Sequence, residues 1–253
     1  MQVVLVQEAS TLDPADNRRR IEALVPEGAD LVVLPEAFAR DFGEPGSDLS
    51  DHAEPADGLF ASEVERVAKL RGTTVVAGMF EQASGTPYPT PFNTVVVRGD
   101  THLDYRKIHL YDSFGYRESD VLSAGPIEPA TFDLGGTTVG LMTCYDLRFP
   151  ELARRLVDDG AEVIVVPAAW VAGPRKVDHW TTLLRARAIE NTAYVVGVGQ
   201  PTPCYSGHSM VVGPLGDVLA EGGDDAEVLT VDLDPSAVAE ARRTNPSLAN
   251  RRL

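Results

Sequence analysis

Cysteine is scarce in this 253-residue chain, which holds only Cys144 and Cys204. Two thiols cannot build a disulfide framework, and theirs is not zinc-ligand spacing, which excludes a stapled secreted scaffold and points to a reducing compartment. Long apolar runs are missing as well. Nothing approaches the roughly 18 consecutive apolar residues of a membrane-spanning helix. The apolar stretch at 3–6 is too short for a signal peptide and has no basic flank. Basic residues are few, 22 against 38 acidic ones, for a formal net charge of −16. A field of that sign disfavours nucleic acid and anionic membranes as partners. A small anionic substrate stays open, because one local cation outweighs a distant, screened field. Internal repeats and low-complexity linkers are also lacking. What remains is ordinary globular material, 43% hydrophobic and 24% charged. The expectation is one cytoplasmic domain over 1–253.

Apolar runs and turn signals predict alternating strands and helices. Strands are expected at 3–6, 31–34, 73–80, 93–98, 101–107, 131–134, 137–143, 162–166, 194–199, 209–212, 218–221 and 228–231. Helices are expected from Pro14 to about residue 24, with Asp13 as N-cap, and over 59–70, 150–159, 176–191 and 235–243. Residues 82–92, with three prolines and a glycine, read as loop. Mixed β-α-β units and hairpins imply an α/β fold, and two face-to-face sheets with helices outside fit the strand count.

Candidate chemistry collects where strands end. Glu36 follows the run closed by Pro35, Lys107 ends a strand, and Cys144 follows another. Carboxyl ends of strands are where α/β proteins present side chains into a crevice. A sharp exit at Cys144 would raise the thiol and aim the next backbone N–H at an oxyanion. Glu36 has apolar neighbours on both sides; buried there without a cation, it would gain proton affinity, as suits a general base. Taken singly, each has a plainer reading: a core cysteine, a solvated lysine, a helix N-cap or surface group at Glu36 and a loop charge at Glu118.

Together they are recognisable. Leu34-Pro35-Glu36-Ala37-Phe38, Tyr105-Arg106-Lys107-Ile108-His109-Leu110 and Cys144-Tyr145-Asp146-Leu147-Arg148-Phe149-Pro150-Glu151 resemble, in order, the glutamate, lysine and cysteine motifs of the nitrilase superfamily of carbon–nitrogen hydrolases. Asn93-Thr94, His179-Trp180, Arg185-Ala186-Arg187-Ala188-Ile189-Glu190-Asn191 and Gly207-His208-Ser209 also match familiar stretches, so the likeness spans nearly the whole chain. The resemblance implies a four-layer α-β-β-α sandwich that forms a homodimer, with no metal or cofactor. It implies Cys144 as nucleophile and Glu36 as base. Lys107 would stabilise the oxyanion, aided by the N–H of Tyr145, and Glu118 would be a second glutamate supporting Lys107 and substrate. The chemistry is consistent with those roles. An amide needs a strong nucleophile and a charged oxyanion partner, a lysine between two glutamates keeps its proton, and a thiol of about 8.5 in water is lowered by a cation.

Ala168-Ala169-Trp170 and Gly173-Pro174-Arg175 resemble the subset acting on small ω-amides of keto acids, with Trp170 as pocket wall and Arg175 as a bidentate carboxylate clamp. The tract between Lys107 and Glu118 is short, which leaves one wall of the pocket undefined. His109, His179 and His208 keep a Cys–His hydrolase in view, though His109 and His179 read as structural, and Cys204 reads as a loop residue without a catalytic role. The expected function is hydrolysis of a small linear amide through a thioester, releasing ammonia. N-carbamoyl amino acid hydrolysis, nitrile hydrolysis and a non-catalytic amide binder are the alternatives.

Overall fold

The computed structural model describes residues 1–83 and 90–252. Along the chain come β1 (Gln2–Gln7), α1 (Pro14–Leu24), β2 (Leu31–Val33), α2 (Leu59–Arg71), β3 (Thr74–Glu81), β4 (Phe92–Arg98) and β5 (Leu103–Arg106). A small hairpin of β6 (Asp112–Ser113) and β7 (Tyr116–Arg117) follows. Then come β8 (Thr131–Leu134), β9 (Thr137–Leu141), α3 (Pro150–Asp158), β10 (Val163–Ala168), α4 (Lys176–Asn191), β11 (Tyr194–Gly199), β12 (Met210–Val212), β13 (Val218–Glu221), β14 (Glu227–Asp232) and α5 (Ser236–Thr244).

Two six-stranded sheets form, in the orders β14-β1-β2-β3-β4-β5 and β13-β12-β11-β10-β9-β8. The central strands β1-β2-β3 and β9-β10-β11 are parallel, and antiparallel strands flank them. Parallel strands are covered on both faces, which is why they read as unbroken apolar runs. Period-two alternation sorts their side chains. Val3, Leu5, Val33 and Val76 of one sheet meet Val139, Leu141, Val165 and Val196 of the other between the sheets. Val4, Val6, Val32 and Val75 face outward onto Ile21 of α1 and Phe60, Val64 and Val67 of α2. Ile164, Val166 and Val195 face Leu152 and Leu156 of α3 and Trp180 and Leu184 of α4. The result is the expected four-layer α-β-β-α sandwich. Each fully buried Val or Leu contributes about 1.5–3 kcal/mol through burial.

Local signals set the helix ends. The Asp13 side chain accepts from Ala15 N at 2.9 Å and Pro14 opens α1. Gly72, at φ +63°, stops α2. Some boundaries differ from expectation. β10 runs through Pro167 to Ala168, because its pairing with β9 has ended at Val165↔Leu141 and a missing N–H is tolerated there. The short tract between Lys107 and Glu118, for which no element was expected, contains the β6–β7 hairpin. Of the loop expected over 82–92, residues 84–89 lie outside the described residues, and Phe92 belongs to β4.

Candidate active site

Glu36 lies three residues beyond β2, Lys107 directly follows β5, Cys144 lies three beyond β9, and Glu118 opens a short 3-10 turn after β7. The turn that carries Glu36 lies against β3. A Cβ on Gly78 would come within 2.5 Å of Ala37 N and 2.7 Å of Glu36 Cα, so only glycine permits that approach. Cys144 itself has φ +46°, a conformation costing a non-glycine residue of order 1–3 kcal/mol. Asp146 holds that turn. Its Oδ2 accepts from Thr143 N at 3.0 Å and from Tyr105 OH at 2.7 Å. Its Oδ1 accepts from His109 N at 3.0 Å and lies 2.7 Å from His109 Nδ1.

The four expected residues converge. Lys107 Nζ donates to Glu36 Oε1 at 2.9 Å and to Glu118 Oε1 and Oε2 at 3.0 and 2.9 Å. These contacts tie the ammonium to both carboxylates. Glu36 is 1% exposed, Lys107 2%, Glu118 1% and Cys144 7%. Further donors fix the carboxylates. Asn93 Nδ2 bridges Glu36 Oε1 at 2.7 Å and Glu118 Oε1 at 3.1 Å. Ala169 N, just past β10, donates to Glu36 Oε2 at 2.6 Å, and Tyr111 N to Glu118 Oε2 at 2.6 Å. Glu36 therefore does not meet the condition set for it from sequence, a carboxylate without a cation.

Burial works against the Lys107 charge, but Glu118 and then Glu36 outweigh it and hold the ammonium well above its ordinary value. Burial also pushes the Cys144 thiol well above its ordinary range; the Glu36 carboxylate adds to the rise and Lys107 opposes it. The expected lowering of the thiol by a neighbouring cation is thus reversed. The cation is already shared by two carboxylates, and the dry site penalises a thiolate. The resting state holds a neutral thiol hydrogen-bonded to Glu36.

A cavity of about 580 Å³ opens over Glu36, Lys107, Glu118 and Cys144. Trp170, the proposed wall, lines it, and so do Tyr145 and Cys204. Arg175 is exposed at the start of α4 and is not among the lining residues; the adjacent Lys176 and, from the cysteine turn, Arg148 are. His109 stacks on Phe149, with centroids 3.7 Å apart, while bound to Asp146. His179 pairs with Arg148, and His208 with Glu221 and Asp224. All three are engaged as structural partners, and none lines the cavity. Sequence reasoning left Asn93, Asp146, Tyr111 and Lys176 without roles. Asn93 had a signal: it lies at the start of β4, the strand paired with β5, which Lys107 directly follows, and Lys107 N donates to its carbonyl at 2.8 Å.

A sandwich of this kind, with a thiol, an ammonium and two carboxylates at strand ends in one cavity, defines a thiol-dependent hydrolase. The sequence profile of the carbon-nitrogen hydrolase family matches residues 2–243. An Escherichia coli O157:H7 protein named deaminated glutathione amidase is 38% identical over 226 residues, 88% of this chain and 84% of its own length. A Bacillus subtilis protein named 2-oxoglutaramate amidase is 35% identical over 246 residues, 92% of this chain and 90% of its own. The crystal structure of a CN-hydrolase superfamily protein from Xanthomonas campestris, with an arsenic adduct in its active site, superposes with TM-score 0.89 at 28% identity, covering 100% of this chain and 97% of that one. The chain belongs to the carbon-nitrogen hydrolase family. It is accordingly a hydrolase of carbon–nitrogen bonds.

Proposed function

We propose that Cys144 attacks the amide carbonyl, Glu36 takes its proton, Lys107 and the N–H of Tyr145 stabilise the oxyanion, and Glu118 orients Lys107 and substrate. The observation that carries this reading is the Lys107 ammonium, 2.9 Å from each glutamate, in the wall of the cavity that contains Cys144. Because the resting thiol is neutral, its proton moves to Glu36 as the S–C bond forms. Neutralising Glu36 loosens its hold on Lys107 and frees one N–H for the oxyanion at the moment charge develops there. Collapse breaks the C–N bond, the Glu36 proton passes to the leaving nitrogen, and ammonia departs from a Cys144 thioester. Water then attacks, giving a proton to Glu36. The C–S bond breaks, the acid leaves, and the thiol regains its proton.

The substrate in this reading is a small linear amide bearing a carboxylate, an ω-amide of a dicarboxylic or 2-oxo acid. The names of the E. coli and B. subtilis relatives support it, as does a cavity suited to one small molecule. The enzyme in this reading is cytoplasmic; among the described residues no helix is long and apolar enough to cross a membrane. A homodimer is also part of the proposal, supported by exposed Ile189, Leu215, Val218 and Leu219, and sedimentation of the intact chain tests it.

Ammonia release from succinamate, 2-oxoglutaramate, N-carbamoyl-β-alanine and a simple nitrile, run beside Cys144→Ala, tests the chemistry. Turnover of the ω-amides that vanishes in the variant is expected. Release of carbon dioxide from the carbamoyl compound with the amides untouched would move the assignment to N-carbamoyl hydrolysis. Full activity in Cys144→Ala would end the thioester mechanism.

A further inference from the structure

The outer cavity carries a charge that the proton relay does not use. Lys176 is only 8% exposed, yet its Nζ has a neutral hydrogen-bond partner, Tyr111 OH at 2.9 Å. Around it stand the rings of Phe114, Tyr111 and Trp170, whose centroids lie 4.4, 4.9 and 5.9 Å from Nζ. On the same tryptophan lies the Arg148 guanidinium, 4.9 Å from the centroid, with one nitrogen 3.3 Å from His179 Nδ1. The Arg148 Nε is buried without a hydrogen-bond partner. Neither cation forms a salt bridge to a carboxylate among the described residues. Both line the cavity that holds Cys144.

This is unusual in a chain with 38 acidic and 22 basic residues, where carboxylates to pair with are in excess. A mostly buried cation without a counter-ion is costly, and cation–π contact offsets only part of the loss. The acidic lining residue Asp41 is already engaged, its Oδ2 by Tyr205 OH at 2.7 Å and its Oδ1 by Gly43 N at 2.8 Å. We infer that Lys176 and Arg148, both beside the ring of Trp170, form the subsite that binds the carboxylate of the substrate, with Lys176 as its principal cation. Tyr111 joins that subsite to the reacting centre: its hydroxyl accepts from Lys176 and its backbone N–H holds Glu118. The inference rests on the amidase reading and adds which side chains select the acyl group.

The test compares each ω-amide with a neutral amide of the same shape, succinamate against butanamide and glutaramate against pentanamide, in the wild type and in Lys176→Met. The expected result is at least a ~100-fold fall in kcat/KM for the anionic member, mainly through KM, with the neutral member within ~3-fold, in keeping with the loss of a charge-assisted bond. Equal losses on both members of a pair would make Lys176 a packing residue and overturn the inference, as would no loss on either. Arg175→Ala tests the neighbouring exposed cation; anion selectivity lost there and kept in Lys176→Met would also overturn it. A calorimetric arm separates this from the amidase reading. Succinamate binding to Cys144→Ala, which lacks the thiol, is expected to weaken ~100-fold when Lys176→Met is added. Unchanged or undetectable binding in both overturns the subsite even if amides are hydrolysed. A wild type that hydrolyses no amide but shows the Lys176-dependent binding overturns the activity and sustains the subsite.

Discussion

Replacing Glu36 with Gln removes a negative charge in hydrogen-bond contact with Cys144 while keeping the side-chain shape. That carboxylate is, after burial, the main reason the thiol resists ionising. A unit charge at contact, with an effective dielectric near 20, is worth about 4 kcal/mol. Lys107 and Asn93 already draw on the same oxygen at 2.9 and 2.7 Å, so about half, ~2 kcal/mol, is a fair share for the thiol. That energy corresponds to roughly a thirtyfold larger thiolate fraction at neutral pH. Iodoacetamide alkylation of Cys144, followed by intact mass across pH, is therefore expected to run roughly thirtyfold faster at pH 7 in Glu36→Gln, with its midpoint at lower pH. Amide turnover is expected to fall by about 10²–10⁴, because the proton acceptor is gone. The two readouts move in opposite directions. A slowing of alkylation in step with turnover would refute the reasoning: it would mean that the resting site holds a thiolate that depends on Glu36. A thermal midpoint recorded alongside separates either outcome from misfolding.

Lys107→Met leaves Glu36 and Glu118 buried without their shared cation, which is expected to cost about 3–5 kcal/mol and lower the melting temperature by roughly 6–20 °C. The folded-state value of Lys107 is raised above its ordinary 10.5, so its stabilisation is complete below that pH and is lost only as pH rises through the higher folded value. Calorimetry at pH 7 and 10 is expected to show the gap between wild type and variant persisting, and equal melting temperatures at pH 7 would contradict the ion-pair account. Asp146→Asn keeps one acceptor oxygen where two now serve Thr143 N, Tyr105 OH and both His109 nitrogens. Stranding two of those groups is expected to cost about 2–4 kcal/mol in urea unfolding and to reduce kcat as the Cys144 turn relaxes; a wild-type urea midpoint would contradict this.

The layers of the fold were legible because covered parallel strands must be apolar on both faces, and the runs at 31–34, 162–166 and 194–199 carry that pattern without any contact being known. The candidate residues were legible because Glu36, Lys107 and Cys144 sit just beyond strand ends in recognisable motifs. The β6–β7 hairpin was not, since two-residue strands leave no periodicity to read. Asp146 looked like any charged residue near a helix start, and its role depends on Tyr105 and His109, far away in sequence.

The sequence by itself determined which runs lie inside, where strands stop, and that a carboxylate, an ammonium and a thiol stand just past three strand ends; that these meet, with Glu118 as a second carboxylate, was implied only by the family resemblance. The first properties follow from local pattern. Only the tertiary structure decided the electrical state of the site and the cation that faces the cavity. The thiol is neutral because burial and Glu36 together prevail over a lysine that two carboxylates already share. Lys176 rather than Arg175 lines the cavity because Arg175 stands exposed at the helix cap with φ +62°, and Lys176 is the next residue, the first of α4. Charge balance and side-chain direction depend on what packs across the gap between layers, and no stretch of sequence contains both sides of that gap.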